Sequence, residues 1–161
     1  MKVRVRLQNS GATRRRAEKA AERAVEIVMG ELSAAFQQSF DEVAWSWPRE
    51  TKRVNGEVVT SPRNIIDTGT LKDSHRWKMT GRFQATFYWS AEYATAVHEG
   101  AYIVPWGRKN EAGLIGPQRR VYLPPRPWTG AVMGTQPTTG ITPFPLDQRL
   151  RNVWMTKFRE K

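Results

Sequence analysis

Cysteine is missing altogether from the 161 residues. Its absence excludes disulfides, thiolate zinc sites and thiol nucleophiles, and it fits a reducing compartment. Histidine is nearly absent, with only His75 and His98. Acidic residues are scarce: 15 Asp and Glu stand against 26 Lys and Arg, a formal charge of +11. Such an excess favours an anionic partner, whether nucleic acid, a membrane surface or an acidic protein face. No run approaches the roughly 18 consecutive apolar residues of a membrane span. Residues 1–7 alternate basic and apolar side chains and lack the apolar stretch of a signal peptide.

Apolar material for a core is plentiful. Hydrophobic residues make up 39%, with seven Trp, six Phe and four Tyr. A chain of this length reads as a single domain, residues 1–161, and buries roughly 70% of its unfolded surface without a staple. The charge is uneven: residues 1–16 carry Lys2, Arg4, Arg6, Arg14, Arg15 and Arg16 and no acid.

The hydrophobic period changes along the chain. Val3, Val5 and Leu7 alternate with cations, as in a half-buried N-terminal strand or arm over residues 1–8. From about Thr13 to Phe40, Ala17, Ala21, Ala24, Val28, Leu32, Ala35 and Phe36 recur at steps of three and four. That spacing predicts a helix about 40 Å long. Val43, Trp45 and Trp47 alternate before Pro48 and suggest a short strand. Asn55-Gly56 signals a hairpin. Residues 65–74 read as a turn and a short helix capped by Asp67 or Thr68. Segments 76–80 and 82–90 form the best strand pair, with Phe83, Ala85, Phe87 and Trp89 on one face. Ala91 to Glu99 reads as a short helix ended by Gly100 in a left-handed cap. A loop is expected from about Pro105 to Pro117.

Residues 129–145 hold three Gly, three Pro and five Thr, the composition of a long loop or extended arm. From 146 to 161, Leu146, Leu150, Val153, Trp154 and Phe158 return to helical spacing. The expected class is α+β: an antiparallel sheet packed by a long N-terminal helix, with a C-terminal helix and extended arms.

Signatures of chemistry are absent from the sequence. It contains no phosphate-cradling G-x-x-x-x-G-K-[ST], no G-x-G-x-x-G and no G-x-S-x-G. Asp67, Asp73 and Glu99 would form a nuclease-like acidic cluster only if they converged, and their contexts suit caps and turns better. His75 and His98 with a carboxylate would make a metal site only if the fold joined them. Each reads more simply as a surface or hydrogen-bonded interior residue. The chain is therefore read as a non-enzyme with no cofactor and no metal. The alternative function is a basic nucleic-acid-binding module. Lys2, Arg4, Arg6, Arg14, Arg15, Arg16, Arg119 and Arg120 would then contact phosphates, but no known recognition module is readable.

Four elements follow one another in the middle of the chain. Asp67-Thr68-Gly69-Thr70-Leu71-Lys72-Asp73-Ser74 comes first, then a hairpin from Trp77 to Trp89. Tyr93-Ala94-Thr95-Ala96-Val97-His98-Glu99-Gly100 is third, and Leu123-Pro124-Pro125-Arg126-Pro127-Trp128 is last. In order and spacing they resemble the D-T-G-x-L-x-x-S, hairpin, Tyr-Ala…His/Glu-x-Gly and Pro-x-Arg-Pro-[FW] elements of tailed-bacteriophage neck and tail-completion (minor tail component) proteins. The match covers about residues 13–133, with a family-like core at 13–128. The basic N-terminal strand, the insertion around 53–61 and the arm at 129–145 depart from the pattern.

The resemblance implies a structural virion protein, made in the host cytoplasm and placed at the head–tail interface. It implies a homo-oligomeric ring, a hexamer, between a portal, adaptor or head-closure protein and a tail terminator or tail-tube protein, with DNA passing through. Asp67, Thr68, Gly69, Leu71, Ser74, Tyr93, Gly100 and Pro127 would carry the fold motif. Lys2, Arg4, Arg6, Arg14, Arg15, Arg16, Arg126 and Trp128 would face partners.

Overall fold

The computed structural model describes residues 11–47, 50–103 and 120–160. The strand expected at 2–7, with Lys2, Arg4 and Arg6, lies outside them, as does the loop expected at 105–117. The chain is α+β, with long helices near both ends and small antiparallel ladders between. Helix α1 spans Gly11–Ser39; strands β1 (Thr51–Lys52) and β2 (Val58–Val59) follow, then helix α2 (Thr70–Asp73). Strands β3 (His75–Gly81) and β4 (Gln84–Trp89) form a hairpin. Helix α3 (Ala94–Glu99), strands β5 (Ala101–Ile103) and β6 (Val121–Leu123), and helices α4 (Trp128–Met133) and α5 (Leu146–Arg159) complete the order.

Where one sheet was expected, the described residues form three separate two-stranded ladders. The chain divides into two compact units. The first takes Met1–Ala34, Trp77–Phe87 and Pro145–Lys161; the second takes Ala35–Arg76 and Tyr88–Phe144.

In the first unit, Ala20, Ala24, Val28 and Leu32 are buried in one stripe at steps of four along α1. Small side chains let neighbours approach closely. Trp77 comes within 3.6 Å of the position a Cβ would take on Gly30, and stacks on Phe87 across the hairpin at 6.1 Å. Trp154 and Phe158 stack at 5.6 Å on α5, and the Trp154 indole donates to the Ala17 carbonyl at 3.4 Å. Ion pairs finish the packing. Arg149 binds Glu31 through two nitrogens, and Arg82 pairs with Glu22 and approaches Glu18 at 3.9 Å. Glu18, Glu22 and Glu31 of α1 thus meet cations of the same chain rather than only solvent.

The second unit is aromatic. Phe40, Trp45, Leu71, Ala94, Trp128 and Ala131 make one buried cluster, with Ile65, Ile66, Trp89, Ala91, Val97 and Ile141 against it. Trp128 lies 4.9 Å from Phe40 and edge-on to Trp89 at 5.4 Å.

Four local expectations are corrected here. Trp45 is not in a strand; it makes an isolated antiparallel bridge to Arg63, because its neighbours turn at residues 40–44. Neither Asp67 nor Thr68 caps α2. The cap position falls to Gly69 in the left-handed region at φ +83°, and the Asp67 carboxylate instead accepts from the Val54 amide at 3.0 Å.

Gly100 has φ +79° and ψ +152°, so it is not a left-handed cap. It extends the chain directly into β5. Residues 129–145 are not an arm: they start in α4, turn at Gly134 (φ +73°) and fold back, so that the Phe144 amide donates to the Val132 carbonyl at 2.7 Å. Gly and Pro supplied tight turns there rather than reach.

Candidate functional site

Three of the motif elements meet in the second unit. Leu71, Ala94 and Trp128 share its core cluster. The Arg126 amide donates to the Val97 and His98 carbonyls, each at 3.1 Å. A Cβ on Gly100 would lie 2.9 Å from both the Leu123 carbonyl and the Pro125 nitrogen. Glycine at 100 is therefore a condition of bringing the Tyr-Ala…Gly helix against the proline segment.

Pro125 and Pro127 fix the backbone on either side of Arg126 and send its side chain inward. Arg126 is only 1% exposed. Its guanidinium lies 3.8 Å from the centre of the Trp47 ring, and so does that of Arg63. Two planar groups cannot stack on one spot of one face, so Trp47 is held between the two arginines. Arg126 Nη2 donates to the Ser46 carbonyl at 3.3 Å, while its Nε and Nη1 are buried without a hydrogen-bond partner. Arg63 Nη1 donates to Thr51 Oγ1 at 2.6 Å, and its Nε is likewise unpartnered. Loss of water, with Arg63 nearby, pushes the Arg126 guanidinium down to about 9, so it remains a cation at neutral pH. Burial, then Arg53, lowers Arg63 in the same direction, and the Asp67 carboxylate opposes them.

These arginines line a cleft of about 360 Å³. Phe40, Ile65, Ile66, Leu71 and Val97 supply apolar wall, and Asp67 to Lys72 and the half-exposed Tyr93 complete it. Lys52 and Arg53 add positive charge. Arg53 is answered by Glu57 at 2.9 Å, and Lys72 by Asp41 at 2.6 Å. Among the described residues, Arg63 and Arg126 form no salt bridge with a carboxylate.

The expected partner-facing residues separate into groups. Arg126 and Trp128 are each 1% exposed and belong to the interior, so neither is presented to a partner. The proline segment that was expected to display them instead tucks under α3. Arg14 pairs with Glu18 at 3.0 Å. Arg16 lies over Phe158 at 5.4 Å and donates to the Glu160 carbonyl. Arg15 is exposed. Ser74 closes α2 by donating from Oγ to the Leu71 carbonyl at 2.8 Å, and Pro127 occupies the position before α4.

The two histidines take separate roles. His75 is buried and stacked on Trp89 at 4.7 Å. His98 contacts Glu99 and Thr129 through its two ring nitrogens, at 2.6 and 2.7 Å. Among the described residues no three of His, Asp and Glu are grouped to hold a metal.

Sequence reasoning missed Trp47, Arg53 and Arg63 as members of this site. The available signal was the arginine between prolines in an otherwise apolar run, Leu123 to Trp128, which demands a buried partner for its charge. No protein-family model matches the chain, and neither a curated protein nor a solved structure matches it.

Proposed function

We propose that this chain is a non-enzymatic structural subunit of the head–tail joint of a tailed bacteriophage. It assembles with copies of itself into a ring between the connector and the tail. The observation that carries the reading is the ordered set of motifs at residues 67–74, 77–89, 93–100 and 123–128. Support comes from packing: the first, third and last of these elements, distant in sequence, contribute Leu71, Ala94 and Trp128 to one core. Exposed apolar side chains outside that core suit subunit contacts. Tyr102 and Tyr122 sit opposite one another on β5 and β6, ring centres 5.3 Å apart, and are 73% and 49% exposed. Val54 and Val58, by the first hairpin, are also exposed. Rings of identical subunits use such heterologous patches.

Among the described residues no helix is long and apolar enough to cross a membrane. The test is the solution mass of the purified protein, alone and mixed with connector or tail-tube proteins, at low and high salt. A closed ring, or a ring formed only with a partner, is the expected result. A strict monomer that ignores those proteins and binds DNA with a steep salt dependence would replace the reading with a nucleic-acid-binding module.

A further inference from the structure

We infer that the cleft between Trp47, Arg63 and Arg126 is a binding site for a carboxylate carried on a small apolar body. A buried guanidinium such as that of Arg126, a residue only 1% exposed, is costly unless its N–H groups and charge are answered. Around Arg126 the answer is partial: one carbonyl on Nη2, the Trp47 ring on its face, and nothing on Nε or Nη1. Arg63 repeats the pattern on the same indole, with one hydroxyl partner and an unpartnered Nε. Among the described residues these two cations converge on one cleft without a salt-bridged carboxylate; the one acidic residue in its lining, Asp67, accepts from the Val54 amide and gives Arg63 only a longer-range attraction.

The shape of the cleft selects among anions. Guanidinium forks match a planar carboxylate through two parallel N–H bonds. Walls of Phe40, Ile65, Leu71 and Val97 favour an apolar body beside that charge and disfavour a fully hydrated phosphate. A volume of about 360 Å³ is at the small end of ligand sites, enough for one or two side chains or a small organic acid. A free acid and an Asp or Glu side chain beside an aromatic residue offer the same chemistry.

The test is NMR titration of the full chain, following the Arg63 and Arg126 Nε–H and the Trp47 indole signals. Four probes are compared: 3-phenylpropionate, its neutral amide, the peptide acetyl-Asp-Phe-amide, and inorganic phosphate. Saturable shifts with a carboxylate probe at about millimolar concentration are expected, and at least a tenfold weaker response to the amide. Tighter binding of the free acid than of the peptide assigns a small-molecule ligand, and the reverse order assigns a polypeptide. Arg63→Gln, at a half-buried position, weakens the carboxylate roughly tenfold with the thermal melt retained; Arg63→Lys, which keeps the charge and loses the fork, weakens it less. Equal response to acid and amide, tighter binding of phosphate, or no shift of the three signals with any probe overturns the inference. Solution mass alone decides the ring, so the two readings stand or fall separately.

Discussion

Alanines and ion pairs hold the first unit, whereas rings and a buried arginine hold the second. Around the N-terminal four-fifths of α1 the contacts are Ala20, Ala24, Val28 and Leu32, a tryptophan close to Gly30, and carboxylates paired with Arg82 and Arg149. Helix α5 has no fully buried residue at all. In the second unit Trp128 and Arg126 are 1% exposed; Phe40 and Trp89 pack on Trp128, and Trp47 lies against Arg126. Exposed ion pairs weaken in salt. A close-packed aromatic interior does not, but it loses much when a ring is truncated.

The largest test of that contrast is Trp128→Ala. It removes a fully enclosed indole from the second unit and should cost about 3–5 kcal/mol, read from urea unfolding. Gly100→Ala comes next. A methyl group there meets backbone at 2.9 Å and a φ of +79°, and should cost roughly 1–3 kcal/mol in the same assay.

A third test uses pH. Burial, with Arg76 adding to it, holds His75 below its ordinary value of 6.5. The folded state therefore keeps the ring neutral where the unfolded chain would charge it. Stability from this site is fully present above pH 6.5 and falls as the pH drops from 6.5 toward the lower folded value. Melting temperatures across that window should show the slope, and His75→Phe should reduce it.

The first unit should respond more gently, and in one case favourably. Gly30→Ala places a methyl group 3.6 Å from Trp77, ordinary contact distance. It should gain about 0.5–1 kcal/mol from helix propensity; a loss would mean that α1 needs glycine for packing. Glu31→Gln should have the smallest effect. The hydrogen bonds from Arg149 hold the Glu31 carboxyl below its ordinary range, so the variant should melt slightly lower in dilute buffer. That difference should disappear in about 1 M salt.

The same division governs what could be read from the sequence. Periodicity exposed α1 almost whole, with Ala24, Val28, Leu32 and Phe36 buried as spaced, and it exposed α5 and the 77–89 hairpin. These are local patterns, set by 3.6 and 2.0 residues per repeat. Phe83 broke its alternation because it falls in the hairpin turn, where it is 52% exposed. The site in the second unit was hidden for a different reason. Arg126 finds its stacking partner in Trp47, 79 positions earlier, and no local rule connects them. A tryptophan between arginines and one in a strand look alike in a short window. Composition likewise described 129–145 as an arm, since Gly, Pro and Thr mark turns whether the chain leaves the body or returns to it.

The short ladder of β5 and β6 has a practical consequence. Ile103 pairs with Val121, and Gly100 packs against Leu123 and Pro125. The ladder therefore ties positions 103 and 121 together by backbone pairing. An insertion between two paired positions adds loop-closure entropy that grows only with the logarithm of its length, about 0.6 kcal/mol per doubling. An epitope or tag spliced between them is therefore expected to leave the register of the ladder unchanged.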